Sequence, residues 1–309
     1  MIGIQDIGVY IPQHRNDNLA MANHYQVDAH FITNKIGIHT TARKSNEEFS
    51  SDLCVKAFQD LMSRHPALAS QIDCISVCTQ NGDYQLPHTS AIVHSKLDLS
   101  SECAAFDISL GCSGYVYALH IMKSFMNDNG MHCGLLFTSD PYSQIVDKDD
   151  KNTHLLFGDA ATVTLLTHDP VYTLEKGVFA SYGKGYQALI KRPEAPLYMN
   201  GREIYNFVLK QIPGLIEKCL NKNNLSHDQV DYYLFHQASK YVIEKLTEKL
   251  QYDQEKVPFA IEEFGNTVSS SIPILLKEYF LTKKANTLLL CGFGVGLSMA
   301  ATVIRRIES

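Results

Sequence analysis

The sequence predicts an α/β fold, and three observations carry the prediction. Short apolar runs of strand length alternate with longer amphipathic segments along most of the chain, as in a protein with a largely buried sheet. The 309 residues, 45% hydrophobic and 19% charged, are enough to bury a large core. A pattern also recurs: "QIDCISVCTQ" from Gln71 and "QVDYYLFHQA" from Gln229 each run Gln, β-branched residue, Asp and apolar strand, with a helix candidate after each. "CGLLFTSD" and "NTLLLCGFG" likewise fall late in two halves. The chain therefore reads as an internal duplication with its seam near residue 168, dividing it into 1–168 and 169–309. No Gly/Ser/Pro-rich linker separates these halves, so they are expected to share one interface.

The strand candidates are "IDCISVCT", "GLLFTS", "AATVTLLT", "VDYYLF", "TLLLCGF" and "MAATVI". Each is predominantly apolar over a strand's length, as strands covered on both faces are. Helices are expected over Glu47 to Met62, Ser90 to Leu97, Ser113 to Met126, Gly201 to Asn221, Lys240 to Leu250 and Ser271 to Phe280. The third shows the reasoning most plainly, because Tyr115, Ala118, Leu119, Met122, Phe125 and Met126 recur at helical spacing. Residues 181–201 carry glycines and prolines and are expected to form a loop that could cover a site.

Composition excludes several classes of function. Net charge is −6 with no long basic run, so no nucleic-acid footprint is expected. No stretch reaches the roughly 18 apolar residues of a membrane span. The N-terminus lacks a basic segment followed by an apolar one, so no signal peptide is expected and the cytoplasm is the expected location. The eight cysteines are scattered, unlike a disulfide framework, and should be reduced thiols. Cys74 and Cys78 lie inside a strand candidate with no second ligand pair after them, so no metal site is expected.

Three places could carry chemistry. In "DISLGCSGYVYAL", Cys112 falls where a helix begins, and the positive end of a helix dipole favours thiolate there. The ordinary alternative is an inert packed thiol. His236 ends an apolar strand in "YYLFHQASKYVIEKL", where rigid structure can hold an imidazole against a cleft, or simply bury it. Asn266 follows Gly265 in "EEFGNTVSSSIPILL", either as turn chemistry or as a neutral donor aimed into a site.

Taken together these segments resemble the ketoacyl-acyl-carrier-protein synthase III enzymes of the thiolase superfamily. The matching stretches are "KIGIHTTAR", "LPHTSAIVHSKLDL", "AAFDISLGCSGYVYAL", "LLFGDAATVTLL", "HQASKYVIEKL", "GNTVSSSIPILL" and "CGFGVGLSMAATVI", in order along nearly the whole chain. The resemblance implies an αβαβα sandwich built from two duplicated βαβαβαββ halves, each with a five-stranded sheet. It places a catalytic Cys-His-Asn triad on Cys112, His236 and Asn266, with the oxyanion hole formed by the backbone of Cys112 and Val295. A thiolate would accept an acyl group from a thioester, and two neutral N–H donors would stabilise the enolate left by decarboxylation of a malonyl unit. Thiolases add a second catalytic cysteine at the C-terminal glycine turn, whereas Cys291 precedes the glycines as part of a strand. Elongating synthases use two histidines, so His followed by Asn favours the initiating type.

The resemblance also implies substrate-binding roles for Phe31, Lys35, Leu86, Lys151, Gly201 and Phe293, and carrier-protein docking through Lys240, Lys245 and Lys249. It implies acyl-CoA or acyl-carrier-protein thioesters as substrates, no further cofactor, and a homodimer in which Leu86 reaches the partner's acyl pocket. The chain departs from the family at its entrance. It has no Trp; Phe31 stands in the tryptophan position, Lys35 and Lys151 stand for arginines, and Tyr241 stands for the docking arginine. Lysine lacks the planar guanidinium that stacks on adenine, so a specialised lipid, secondary-metabolite or surface-glycan pathway is expected. Two alternatives are acyl transfer from Cys112 to a non-malonyl nucleophile and a non-catalytic partner subunit.

Overall fold

The computed structural model describes residues 1–281 and 285–307. The N-terminal half runs β1 (Gly3–Tyr10), α1 (Ser50–Met62), β2 (Cys74–Cys78), α2 (Thr89–Lys96), β3 (Ala104–Ile108), α3 (Gly114–Asp128), β4 (Cys133–Ser139) and β5 (Ala161–Thr167). Its strands lie in the order β3-β2-β4-β5-β1. The first three are parallel, and β5 is antiparallel to both of its neighbours. In the C-terminal half β6 (Tyr172–Leu174) and β7 (Val178–Ser181) are followed by α4 (Gly201–Lys222), β8 (Tyr232–Phe235), α5 (Lys240–Leu250), α6 (Ser271–Leu281), β9 (Thr287–Gly294) and β10 (Ser298–Arg306). Here β8 and β9 are parallel, β10 is antiparallel to β9, and β6 and β7 lie end to end along β10.

Helices α1 and α2 cover the outer face of the first half, α4 and α5 cover the outer face of the second, and α3 and α6 pack between them. That stacking is the αβαβα sandwich of the thiolase fold. α3 shows why the middle layer forms: Tyr115, Val116, Ala118, Leu119, Met122 and Met126 are all buried, since a helix between two sheets has little polar face to keep.

The sheets depart from two separate five-stranded units. β1 pairs with β6 through Gly3 opposite Thr173 and Ile4 opposite Tyr172, making one continuous sheet. In the second half, residues 257–261 lie where the repeat would place another strand but form no ladder. Pro258 removes a backbone donor there. The Gln237 side chain bonds the segment instead, its Nε2 donating to the Pro258 carbonyl at 3.2 Å and its Oε1 accepting from Ala260 N–H at 3.1 Å. The segment 181–201 is also more regular than a loop: a short helical turn at Gly183–Ala188 leads into a hairpin pairing Leu189–Lys191 with Leu197–Met199. Among the described residues no helix is long and apolar enough to cross a membrane.

The recurring Gln-x-Asp pattern has a physical basis. Asp73 precedes β2, and its Oδ2 accepts from the N–H groups of His132 and Cys133 at 2.6 and 2.9 Å. Asp231 precedes β8, and its Oδ2 accepts from Asn286 and Thr287 at 2.6 and 2.9 Å. Each carboxylate thus caps the start of the neighbouring parallel strand, β4 or β9, whose first donors would otherwise be unpaired. Asp73→Ala or Asp231→Ala should each cost about 1–3 kcal/mol, the penalty for removing the acceptor of charge-assisted bonds. Urea unfolding read by circular dichroism checks this, and equal losses at the two positions are the expected outcome.

Candidate active site

Cys112 sits in the tight connection between β3 and α3, and is 4% exposed. Asp107 of β3 anchors the approach, its two carboxylate oxygens accepting from Thr89 and Ser90 N–H at the start of α2 at 2.7 and 2.8 Å. Burial pushes the Cys112 thiol up to about 12. The backbone N–H groups of Val295 and of Cys112 itself point at the sulfur and work in the opposite direction. Val295 comes that close because residue 294 is glycine. A Cβ there would lie 2.7 Å from Cys112 Sγ, inside van der Waals contact.

His236 follows the end of β8 and is buried. Its Nδ1 lies 2.8 Å from Ser271 Oγ, and the Phe293 ring stands edge-on to the imidazole at 5.7 Å. Burial lowers its pKa to about 3, so the ring is neutral at physiological pH. When Ser271 donates to Nδ1, the Nε2–H faces the cavity.

Asn266 is held by its backbone on both sides, its N–H donating to Leu156 O at 2.8 Å and its C=O accepting from Gly158 N–H at 2.9 Å. This contact needs the glycine of "LLFGDA", because a Cβ at 158 would fall 1.8 Å from the Phe264 carbonyl oxygen. The amide oxygen accepts from Val268 N–H at 2.9 Å, which orients Nδ2 towards His236 Nε2 at 3.5 Å. Two donors at that spacing can share one acceptor oxygen.

Cys112, His236 and Asn266 line one cavity of about 550 Å³, together with Phe31, Lys35, Gly201 and Phe293. Lys151 adjoins it, with Nζ 5.6 Å from the Phe31 ring centre, a cation–π contact at the mouth. Leu86 is elsewhere: it is 85% exposed, in a separate depression with Tyr84 and Pro87. The three lysines of α5 differ from one another. Lys240 packs its stem against Gly37, Lys245 pairs with Glu248 at 2.6 Å, and Lys249 is exposed.

Several cavity residues escaped the sequence reading. Arg202, Asn152 and Tyr205 line the rim, and Tyr205 stacks on Tyr241 with ring centres 5.5 Å apart. The run Ser269-Ser270-Ser271 looked like a plain helix start. Ser269 donates to Asp140, Ser270 bonds Thr138, and Ser271 bonds His236. Their only sequence signal was three adjacent hydroxyls before an apolar helix.

This is a thiolase-fold enzyme whose buried cysteine, imidazole and amide share one pocket. The family description "3-Oxoacyl-[acyl-carrier-protein (ACP)] synthase III" matches residues 106–183, and its C-terminal counterpart matches 220–306. The beta-ketoacyl-[acyl-carrier-protein] synthase III of Lactobacillus helveticus is 31% identical over 95% of both chains. A crystal structure of a 3-oxoacyl-(acyl-carrier-protein) synthase III superposes with TM-score 0.93 at 30% identity, covering 98% of this chain and 99% of that one. The 3-oxoacyl-(acyl-carrier protein) synthase of Burkholderia xenovorans LB400 does so at 0.89 and 31%, covering 99% and 94%. The chain belongs to the beta-ketoacyl-[acyl-carrier-protein] synthase III family, and it is an acyltransferase of that condensing type.

Two predictions follow from the geometry. Gly294→Ala should displace the Cys112 sulfur and abolish its alkylation by iodoacetamide while the circular dichroism spectrum stays unchanged. Stability should fall on mild acidification. Burial lowers His120 and His154 to about 4 and His236 to about 3, against 6.5 when exposed, so between about pH 6.5 and 4 the unfolded chain binds protons that the fold refuses. Each histidine removes up to about 1.4 kcal/mol per pH unit in that window. Asp140, raised to about 6 by burial, opposes them, but it is one group against three. Urea midpoints measured from pH 7.5 to 5 should therefore decrease.

Proposed function

We propose that Cys112 is the acyl-accepting nucleophile and that His236 and Asn266 are the donors for decarboxylative condensation. The observation that carries this is the convergence in one cavity of a helix-start thiol, two backbone N–H groups on its sulfur and two neutral side-chain donors spaced for one oxygen. Sγ attacks the carbonyl of an acyl-CoA or acyl-carrier-protein thioester, the donor's C–S bond breaks, and the donor thiol leaves with the proton. The N–H groups of Cys112 and Val295 hold the tetrahedral oxyanion.

A malonyl thioester then enters the same cavity. Its carboxylate leaves as carbon dioxide, and the electron pair passes to the thioester oxygen as an enolate. Asn266 Nδ2–H and His236 Nε2–H bond that oxygen, the role that two neutral donors fill better than a carboxylate. The enolate carbon attacks the acyl-Cys112 carbonyl, the C–Sγ bond breaks, and a β-ketoacyl thioester departs as Sγ regains a proton. These steps balance with no cofactor.

The substrate grip is read from the rim. Phe31, Lys35, Lys151, Gly201 and Phe293 receive the pantetheine arm, while Lys240, Lys249 and, less freely, Lys245 face an acidic carrier protein. The Phe31–Lys151 contact and Tyr241 replace a stacking guanidinium and a docking one, which supports a specialised pathway. The exposure of Leu86 supports a homodimer in which the partner chain covers it.

Intact-mass measurement with a panel of acyl-CoA and acyl-carrier thioesters tests the nucleophile. The wild-type chain should gain one acyl group and Cys112→Ala none. The reading is overturned if no donor modifies the wild type, or if the adduct persists in the alanine variant. Asn266→Ala should still acylate but release carbon dioxide from malonyl-carrier protein about 10²–10³-fold more slowly, the usual effect of losing one oxyanion donor.

A further inference from the structure

The hairpin that pairs Leu189–Lys191 with Leu197–Met199 joins the cavity to the surface. Leu189 and Met199 line the cavity that holds Cys112. Leu197 N–H donates to the Ile145 carbonyl at 2.8 Å, and the second strand packs against the short helix Lys151–His154, which carries Lys151 at the mouth. The rest of the hairpin is open. Tyr198 is 52% exposed, and Lys191 and Arg192 are exposed where the first strand ends. The helical turn before it adds Lys184, Tyr182 and Tyr186, all exposed, and Arg202 at the start of α4 extends the set to the cavity rim.

Residues 181–203 hold Lys184, Lys191, Arg192 and Arg202 against Glu194 and Glu203, a net +2 in a chain of −6. Among the described residues none of these four cations is in an ion pair. The adjoining residues 147–151 are net −1, but their acids are engaged locally: Asp149 meets His24 at 3.4 Å, Asp150 accepts from Asn152 N–H and Thr153 Oγ1, and Asp147 accepts from Asp149 N–H. By contrast α5 sets Lys240, Lys245 and Lys249 against Glu244 and Glu248, with Lys245 already paired and the Lys240 stem packed on Gly37.

The geometry points to the open side of this hairpin as a docking surface for the acidic carrier protein, on which Lys184, Lys191 and Arg192 supply the attraction and the exposed tyrosines the contact. This deepens the proposed function, from which it takes the identity of the partner. A chain of net −6 repels an acidic protein at a distance, so a local positive patch beside the mouth has to steer it. Exposed Tyr and Arg are also the side chains that protein interfaces favour.

Lys191→Glu/Arg192→Glu reverses two exposed charges and should leave the circular dichroism spectrum unchanged. Its affinity for a carrier protein bearing a free phosphopantetheine arm, measured by fluorescence anisotropy, should fall about tenfold at low salt, since like charges would then face each other. The gap from wild type should close as ionic strength rises from about 0.01 to about 1 M and the Debye length shrinks from about 30 to about 3 Å. Tyr198→Ser keeps the charges and should weaken binding several-fold with the salt dependence of the wild type. Lys176→Glu/Lys218→Glu changes net charge equally at exposed lysines that line no part of the cavity, and should bind nearly as wild type. The assignment is overturned if the hairpin variant binds the carrier as tightly as wild type or if the control weakens binding equally. It is also overturned if the hairpin variant changes the mass of the protein in solution, which would make this face a contact between copies of the chain. Acylation by acetyl-CoA, followed by intact mass, separates the two readings: if no thioester acylates the wild type, the acyl-acceptor reading fails, while carrier affinity still decides the docking surface.

Discussion

Burial of the Cys112 sulfur at the junction of β3 and the central helix is the constraint on which the rest of the site depends. A thiol in that position resists ionisation, and the compensation available is backbone N–H, because a nearby ammonium or guanidinium would need water of its own. Bringing Val295 N–H to the sulfur forces the β9–β10 turn against the start of α3 and leaves no room for a side chain at residue 294. The middle layer of the sandwich therefore joins the two halves at the Cys112 sulfur. The proposed nucleophile comes from one half, and His236, Asn266 and Val295 come from the other.

The donors obey the same logic of buried groups satisfied by neutral partners. His236 stays neutral because burial opposes its charging, and Ser271 occupies Nδ1 without supplying an acid. Asn266 spends its oxygen on Val268 N–H, and Nδ2, which donates to the Ala238 carbonyl at 3.3 Å, has a second hydrogen for the cavity. A carboxylate in either place would repel the proposed enolate. Asp140 is the exception, a buried carboxylate held by Gln80 N–H and the Thr79 and Ser269 hydroxyls.

Long periodic segments made the helices legible. The segment expected from Lys240 to Leu250 is α5 with the same ends, and the others differ by a few residues, because an amphipathic or wholly apolar stripe at helical spacing has few alternatives. β1 was not visible. "GIQDIGVY" holds two glycines and an aspartate, poor strand residues, and extends because β5 and β6 pair with its two edges. The 257–261 segment is the converse, an extended stretch whose ladder a proline and a glutamine side chain replace. In the site, Cys112, His236 and Asn266 were legible because each sits at the boundary of a predictable element. Ser269, Ser270, Ser271 and Asp140 were not, because their roles depend on partners more than a hundred residues away, or thirty-five in the case of Ser271.

The two ends of the cavity are built from different materials. At its floor, backbone groups hold the geometry: the N–H of Val295, the ladder around Asn266 and the start of α3 tolerate changes in neighbouring side chains as long as the glycines remain. At its mouth the contacts are side chain on side chain, Lys151 over Phe31 and Tyr205 on Tyr241. These are worth about 1 kcal/mol each when exposed and can be exchanged without disturbing the floor. Under the proposed function the floor sets the reaction type, and residues 31, 35, 151 and 241, in or beside the mouth, are where the donor thioester would be selected.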